Sequence, residues 1–160
     1  MSLPKNPVVI IPARLAATRL PGKILADIHG QPMIVHVWRR AVESGVGPVI
    51  VACAEKEIAE TIEAAGGQAV LTDPGHPSGS DRIFEALNKI DEAGTFDAVV
   101  NLQGDLPAID PAVLKPAFAP SPDPPVDIAT LAFEITDAEG APNPNVVKAA
   151  VSFAPGKPIG

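Results

Sequence analysis

The chain has 160 residues, which suffices for one domain that buries about two-thirds of the surface of its unfolded state. A formal net charge of −7 excludes a generally basic surface, and therefore nucleic acid or an anionic membrane as a general partner. One cysteine excludes an internal disulfide and fits a reducing cytoplasm, and no apolar run approaches the ~18 residues of a membrane span.

The first predicted element is a short buried strand followed by a basic loop. Residues 8–11 are apolar and rich in β-branched side chains, and Pro12 is expected to end the strand. The loop beyond it carries Arg14, Arg19 and Lys23, which can converge on an anion such as phosphate. A merely solvated basic loop is the alternative, but the chain is acidic overall and this loop has no acidic neighbour before Asp27.

Strands and helices then alternate along the chain. The pattern predicts, in order, a helix over Pro32–Ser44, a strand over Pro48–Cys53, a helix over Glu55–Ala65, a strand over Gln68–Leu71, a helix capped by Ser78 or Ser80 with Ile83, Phe84, Leu87 and Ile90 at helical spacing, and a strand over Phe96–Leu102. Four such alternations predict an α/β fold with a mainly parallel sheet and helices on both faces.

The alternation stops after Asp110. A short helix is expected there, followed by a proline-rich surface loop and by strands over Asp127–Ile135 and Val146–Phe153 at the sheet edge. The last residues contain a turn signal with no return strand after it, so the chain is expected to stop inside a hairpin.

A second loop of interest, NLQGDLP at residues 101–107, follows the fourth predicted strand. Asp105 can hold a cation at the same sheet edge as the basic loop, because Mg²⁺ is typically bound by one or two carboxylates together with substrate phosphates. Gly104 permits close approach of the backbone. The alternative is that Asp105 is an ordinary turn residue with a local side-chain hydrogen bond.

A third loop, PSGSDR at residues 77–82, opens a predicted helix. Its free backbone donors and Arg82 can bind an anion or a base edge, although Ser78 or Ser80 acting as a simple cap explains the same pattern. Cys53 is expected to be a buried small hydrophobe rather than a nucleophile. His29 and His36 are expected to be structural rather than catalytic, and no metal-ligand spacing links them to Cys53 or His76.

Taken together, these loops resemble the CMP-Kdo synthetases, the 3-deoxy-manno-octulosonate cytidylyltransferases of lipopolysaccharide biosynthesis. The similar blocks are IPARLAATRLPGK at 11–23, GQPMIVHVWRRA at 30–41, SGSDR at 78–82, NLQGDLP at 101–107 and NPNVVK at 143–148. The first block alone also resembles other sugar nucleotidyltransferases, including sialic acid activating enzymes, whereas the combination of the last three is more specific.

The resemblance implies a Rossmann-like nucleotidyltransferase fold that transfers CMP from CTP to Kdo and releases pyrophosphate, with Mg²⁺ as cofactor. It implies catalytic roles for Arg14, Lys23 and Asp105, with Asp105 holding the metal. Nucleotide contacts are implied for Pro12, Ala13, Arg14, Arg19, Lys23, Ser80, Arg82 and Gln103. A cytoplasmic homodimer is implied for the full-length protein, with neither nucleic acid nor membrane as partner.

Three positions depart from the family pattern: Ala17 stands where Ser is common, residues 52–54 where an Ala-Thr-Asp triplet is common, and Leu106 where Glu is common. The sequence also lacks the family's later acceptor-sugar and dimerisation region. Residues 1–160 are therefore expected to be a nucleotide-binding α/β domain, an N-terminal fragment that is inactive alone. The alternatives are a cytidylyltransferase for another acidic sugar such as sialic acid, or a non-catalytic nucleotide-binding fragment.

Overall fold

The computed structural model describes residues 4–16, 20–119, 127–132, 134–136, 142–144 and 146–149. Its contacts divide the chain into two units, Met1–Val126 and Asp127–Gly160. All the helices and strands of the described residues belong to the first unit. None of these helices is long and apolar enough to cross a membrane.

The first unit is built in the alternating order that the sequence predicts. Its strands are β1 (Pro7–Ala13), β2 (Asp27–Ile28), β3 (Gln31–Pro32), β4 (Val49–Cys53), β5 (Gln68–Leu71) and β6 (Ala98–Asn101). Its helices are α1 (Met33–Glu43), α2 (Lys56–Ala64) and α3 (Gly79–Ile90), with 3-10 turns at Lys23–Leu25, Pro111–Val113 and Lys115–Phe118.

Four of these strands form a parallel sheet in the order β5-β4-β1-β6, and β2 and β3 form a separate antiparallel pair. Strand β1 is central and places alternate side chains in two cores. Val9 and Ile11 pack in the core that includes α1 and α2, whereas Val8 and Ile10 pack in the core that includes residues of α3. The predicted parallel sheet with helices on both faces is confirmed.

Strand β1 continues through Pro12, where the sequence pattern predicts that it ends. Strand β6 pairs with β1 only as far as Ile10, whereas β4 pairs with it through Ala13. At Pro12 the strand therefore pairs with β4 alone. Proline has no backbone N–H to donate, and no second strand at this position requires one. The loop that follows is anchored one strand residue beyond the proline.

The helices begin and end close to the predicted residues. Helix α1 follows Pro32, and Gly45 beyond its end adopts a left-handed φ of 60°. Ser78 rather than Ser80 caps α3, accepting a hydrogen bond from the Asp81 N–H at 3.2 Å. Phe84 was expected on the buried face but is 66% exposed, because it lies one residue, or about 100°, around the helix from Ile83.

After Asp110 the predicted short helix is a pair of 3-10 turns, and the Asp110 carboxylate accepts from the Ala112 N–H at 2.9 Å. The predicted strand over Asp127–Ile135 is wrong for its described residues, which form no strand, and Ile128 is 87% exposed. The described residues 146–149 likewise form none, and the remainder of Val146–Phe153 lies outside the described residues. An extended segment needs a neighbouring strand to satisfy its backbone, which propensity alone does not supply.

Candidate functional site

A cleft of about 440 Å³ opens at the carboxyl ends of β1 and β6, beside the start of α3. This is where open parallel α/β sheets generally bind ligands. The cleft is lined by Pro12, Ala13, Arg14, Ala16, Leu20, Lys23, Ile24, His76, Ser78, Gly79, Arg82, Gln103, Gly104 and Asp105. All three loops singled out in the sequence therefore meet at one site.

The basic loop is held at its base by two hydrogen bonds. The Leu15 N–H donates to the Glu55 carboxylate at 3.0 Å, and the Gly22 N–H donates to the Leu15 carbonyl at 2.9 Å. Gly22 has a left-handed φ of 70°, which glycine adopts without steric cost, and the chain then enters the 3-10 turn that begins with Lys23. This turn brings Lys23 back to the cleft that Arg14 lines. Ala17 and Arg19 lie outside the described residues.

Lys23 and Asp105 meet directly across the cleft. Lys23 Nζ lies 2.5 Å from Asp105 Oδ2, and the two side chains are 34% and 44% exposed. A pair this exposed adds at most about 1 kcal/mol to stability, because water screens it and both side chains lose freedom. The pair matters because of where it places the two groups. An ammonium, which can bind phosphate, lies beside a carboxylate, which can bind a metal ion.

Gly104 explains how the second loop comes so close to the first. A Cβ at this position would lie 2.9 Å from the Pro12 carbonyl oxygen and 3.1 Å from the Ile24 Cδ1 atom. Any larger residue would hold the 103–105 segment away from the end of β1. The predicted close backbone approach at Gly104 is confirmed, and Asp105 owes its position beside Lys23 to it.

Arg82, on the first turn of α3, is the most deeply buried charged residue of the cleft. It is 2% exposed, and its Nη1 donates to Thr72 Oγ1 at 2.5 Å, while Thr72 Oγ1 donates to the Cys53 carbonyl at 3.1 Å. Its Nη2 is buried without a hydrogen-bond partner among the described residues. An unsatisfied buried donor costs about 1–3 kcal/mol, and this guanidinium has one hydrogen bond still to donate.

Cys53 lies at the end of β4, behind Arg82. Burial raises the pKa of its thiol to about 11, against a smaller opposing effect of the Arg82 charge. The thiol is therefore protonated at neutral pH, and it donates a weak hydrogen bond to the Val70 carbonyl. The prediction of a buried, unreactive cysteine agrees with this environment.

Seven predicted site residues line the cleft: Pro12, Ala13, Arg14, Lys23, Arg82, Gln103 and Asp105. Ser80 is exposed and is absent from the lining, so its nucleotide contact stays a prediction. Two further residues line the cleft without having been predicted to do so: His76, and Ser78, for which the sequence indicated only a cap. Their position just before α3 was the available signal, because residues preceding this helix share its end of the sheet.

The described residues contain no cluster of three or more His, Cys, Asp or Glu side chains placed to hold a metal ion. Asp105 is thus a single carboxylate in a cleft that also carries three cations. That donor set does not form an all-protein cage. It suits a hard cation that takes its other ligands from water and from substrate phosphates.

The sheet order and the position of the cleft define an α/β protein of Rossmann-like architecture. A solved structure of CMP:2-keto-3-deoxy-manno-octonic acid synthetase complexed with CTP matches it with a TM-score of 0.66 and 40% identity, over 72% of this chain and 46% of that chain. The family model described as cytidylyltransferase matches residues 8–155. The chain belongs to the cytidylyltransferase family.

Two curated relatives, both named 3-deoxy-manno-octulosonate cytidylyltransferase, are similar over almost the whole chain. The protein from Paramagnetospirillum magneticum is 60% identical over 155 residues, which cover 97% of this chain and 63% of the relative. The protein from Rhodospirillum centenum is 61% identical over 153 residues, which cover 96% and 60%. The chain thus spans less than two-thirds of the length of these relatives.

Proposed function

We propose that the protein transfers CMP from CTP to 3-deoxy-D-manno-octulosonate (Kdo) and releases pyrophosphate, for lipopolysaccharide biosynthesis. The observation that carries this proposal is the meeting of Lys23, Asp105 and Arg82 in one cleft, where Arg82 keeps a donor, Nη2, without a partner among the described residues. A nucleoside triphosphate supplies oxygens for the two cations and phosphates for a shared metal. The relatives' names specify cytidine and Kdo.

In this proposal residues 1–160 supply the nucleotide-binding domain. Arg14 and Lys23 hold the triphosphate, and Arg82, Gln103 and the backbone of Pro12 and Ala13 contact the nucleotide. Arg19 and Ser80 are further candidate contacts. The anomeric hydroxyl oxygen of Kdo bonds to the α-phosphorus as the bond to the β-phosphate breaks, and the hydroxyl proton passes to solvent. The chain's main contribution is to align these groups and to offset the charge of the phosphates.

We also propose Mg²⁺ as the cofactor, with Asp105 as its protein ligand. When bound, the ion would neutralise charge on the phosphate oxygens and polarise the phosphorus that is attacked. Lys23, which now pairs with Asp105, would then be free to turn to a phosphate oxygen. Because position 106 is leucine, Asp105 has no adjacent carboxylate, and Asp105 is the one residue to which the metal is assigned.

The decisive experiment measures Mg²⁺-dependent release of pyrophosphate from CTP with Kdo, with sialic acid or with no acceptor, using the complete natural polypeptide that contains these residues. Release that requires Kdo supports the proposal. Release only with sialic acid supports the other acidic-sugar cytidylyltransferase, and CTP binding without any release supports a non-catalytic nucleotide-binding protein. Either of the latter results overturns the proposed acceptor.

The proposed setting is the cytoplasm, with the full-length protein a homodimer, as the family resemblance implies. Light scattering of the complete polypeptide tests the oligomeric state. A monomer at micromolar concentration that turns over at full rate would contradict a functional dimer.

A further inference from the structure

His76 is the cleft residue that neither the resemblance nor the proposed chemistry accounts for. It lies in the loop between β5 and α3, two residues before the Ser78 cap, and its side chain is 22% exposed. Its Nε2 is hydrogen-bonded to Glu85 Oε2, on the second turn of α3. No hydrogen bond to its Nδ1 occurs among the described residues, so one ring nitrogen is engaged and the other has no partner there.

Glu85 holds this loop through several donors at once. Besides His76, its carboxylate accepts from the Asp73 N–H at 2.9 Å and from Lys89 Nζ at 2.6 Å. Lys89 also donates to the Leu71 carbonyl at 2.8 Å, which ties the end of β5 to α3. The β5 end, the loop and the helix therefore converge on one carboxylate, and the position of His76 depends on it.

The charge state of Glu85 settles which ring nitrogen of His76 carries hydrogen at this contact. The hydrogen bonds from Lys89, from the Asp73 backbone and from His76 lower the pKa of Glu85 to about 2. A carboxylate ionised at neutral pH only accepts, so His76 Nε2 is the donor. In the neutral ring Nδ1 is then an acceptor, which suits a hydroxyl or amino group of a nucleoside better than a phosphate oxygen.

We propose that His76 contacts the nucleoside part of the bound nucleotide through Nδ1, and that Glu85 is the positioning residue that orients its ring. This inference rests on the proposed nucleotide-binding function. The cleft wall formed by His76, Ser78, Gly79 and Arg82 would bind the nucleoside, whereas Lys23 and Asp105 meet at the wall assigned to the phosphates.

Two isosteric substitutions separate the proposed contact from a purely structural role. His76→Asn keeps a polar atom near Nδ1 and loses the bond to Glu85, whereas His76→Gln keeps a polar atom near Nε2 and loses Nδ1. We expect His76→Gln to weaken CTP and CMP binding about tenfold, the loss of roughly one hydrogen bond. His76→Asn, which keeps the contact atom and loses only the positioning bond to Glu85, is expected to weaken binding less, by about threefold. Pyrophosphate binding should change in neither.

Affinities are measured by calorimetry on variants whose circular dichroism shows them to be folded. His29→Asn serves as the control, because His29 is an exposed turn residue outside the cleft lining. Equal losses in both His76 variants, no loss in either, or a greater loss in His76→Asn would overturn the inference. A loss of pyrophosphate affinity would overturn the placement at the nucleoside. A wild type that binds no CTP would instead overturn the proposed function, and this inference with it.

The role of Glu85 has its own readout. Glu85→Gln should weaken CTP binding in an otherwise wild-type chain. It should cause no further loss of CTP affinity in a His76→Ala background, because Glu85 acts by orienting the imidazole. Equal loss in both backgrounds would show that Glu85 only stabilises the loop. That result would overturn its assignment as a positioning residue.

Discussion

Replacing Gly104 with alanine is the most direct test of how the two functional loops are held together. The new Cβ would lie 2.9 Å from the Pro12 carbonyl oxygen, about 0.5 Å closer than ordinary van der Waals contact. Pro12 belongs to the central strand and is paired with Ala52 of β4, so its carbonyl has little freedom to retreat. The 103–105 segment must therefore move, and it takes Asp105 away from Lys23.

The expected cost has two parts. Overpacking at a buried position lowers the free energy of unfolding by about 1–3 kcal/mol. A displacement of about half an ångström at Asp105 also disturbs a pair now 2.5 Å apart, and misplacements of ~1 Å in catalytic sites can cost about a hundredfold in rate. We therefore expect about a tenfold loss of Mg²⁺-dependent pyrophosphate release, measured together with urea unfolding.

Gly67→Ala provides a matched control. Its Cβ would lie 2.7 Å from Ile62 Cγ2 and 2.8 Å from Trp38 Cε2, a comparable overlap, but Gly67 does not line the cleft. The control should lose stability without losing turnover per folded molecule. If Gly104→Ala retains wild-type turnover, or if both variants lose turnover in proportion to stability, the reasoning about the Pro12 contact is refuted.

Further predictions concern charge and burial at the cleft. Lys23→Ala should weaken CTP binding about 10–100-fold by removing a charged phosphate partner. Lys56→Ala, in an exposed ion pair with Glu60 outside the cleft lining, should leave binding unchanged, and equal effects would contradict the assignment. Asp105→Asn, which keeps size and removes charge, should suppress Mg²⁺-dependent pyrophosphate release, and a wild-type rate would exclude it as metal ligand. The folded-state pKa of Glu85 is about 2 against an ordinary 4.5, so its contribution to stability is complete above pH 4.5 and lost as the pH falls towards 2. The free energy of unfolding of Glu85→Gln, measured with urea, should depend less on pH in that window than that of the wild type. An equal pH dependence in the two proteins would show that ionised Glu85 does not stabilise the folded chain. Cys53 should resist thiol reagents in the folded chain and react on unfolding, and fast labelling of folded protein would contradict its burial.

The core fold was predictable because local signals agreed with tertiary structure. The run at 8–11 is apolar on both strand faces, which only a strand buried between two layers requires, and the glycines at 45 and 66 mark helix ends. Pro12 was misread because its tolerance depends on where β6 stops pairing, a property of the neighbouring strand. The predicted strand over 127–135 was wrong for a related reason, because an apolar pattern does not show whether a neighbouring strand is in place to pair with it.

The cleft was predictable at the level of loops but less so at the level of atoms. Asp105 and Lys23 could be assigned to the same sheet edge, because each follows a parallel strand. Their direct contact could not, since it depends on the backbone approach at Gly104. Nor could the hydrogen bond between His76 and Glu85, because the eight intervening residues run through a loop and a helix start whose relative direction is set by packing.

The ion pair between Lys23 and Asp105 has a thermodynamic consequence for how ligands enter. Each partner already neutralises the other. An anion that binds Lys23 therefore leaves the Asp105 carboxylate unpaired, and a cation that binds Asp105 leaves the Lys23 ammonium unpaired. A metal–triphosphate complex replaces both lost contacts in one event. If metal and nucleotide bind here as proposed, each should raise the other's affinity by the same factor, with no change of fold required.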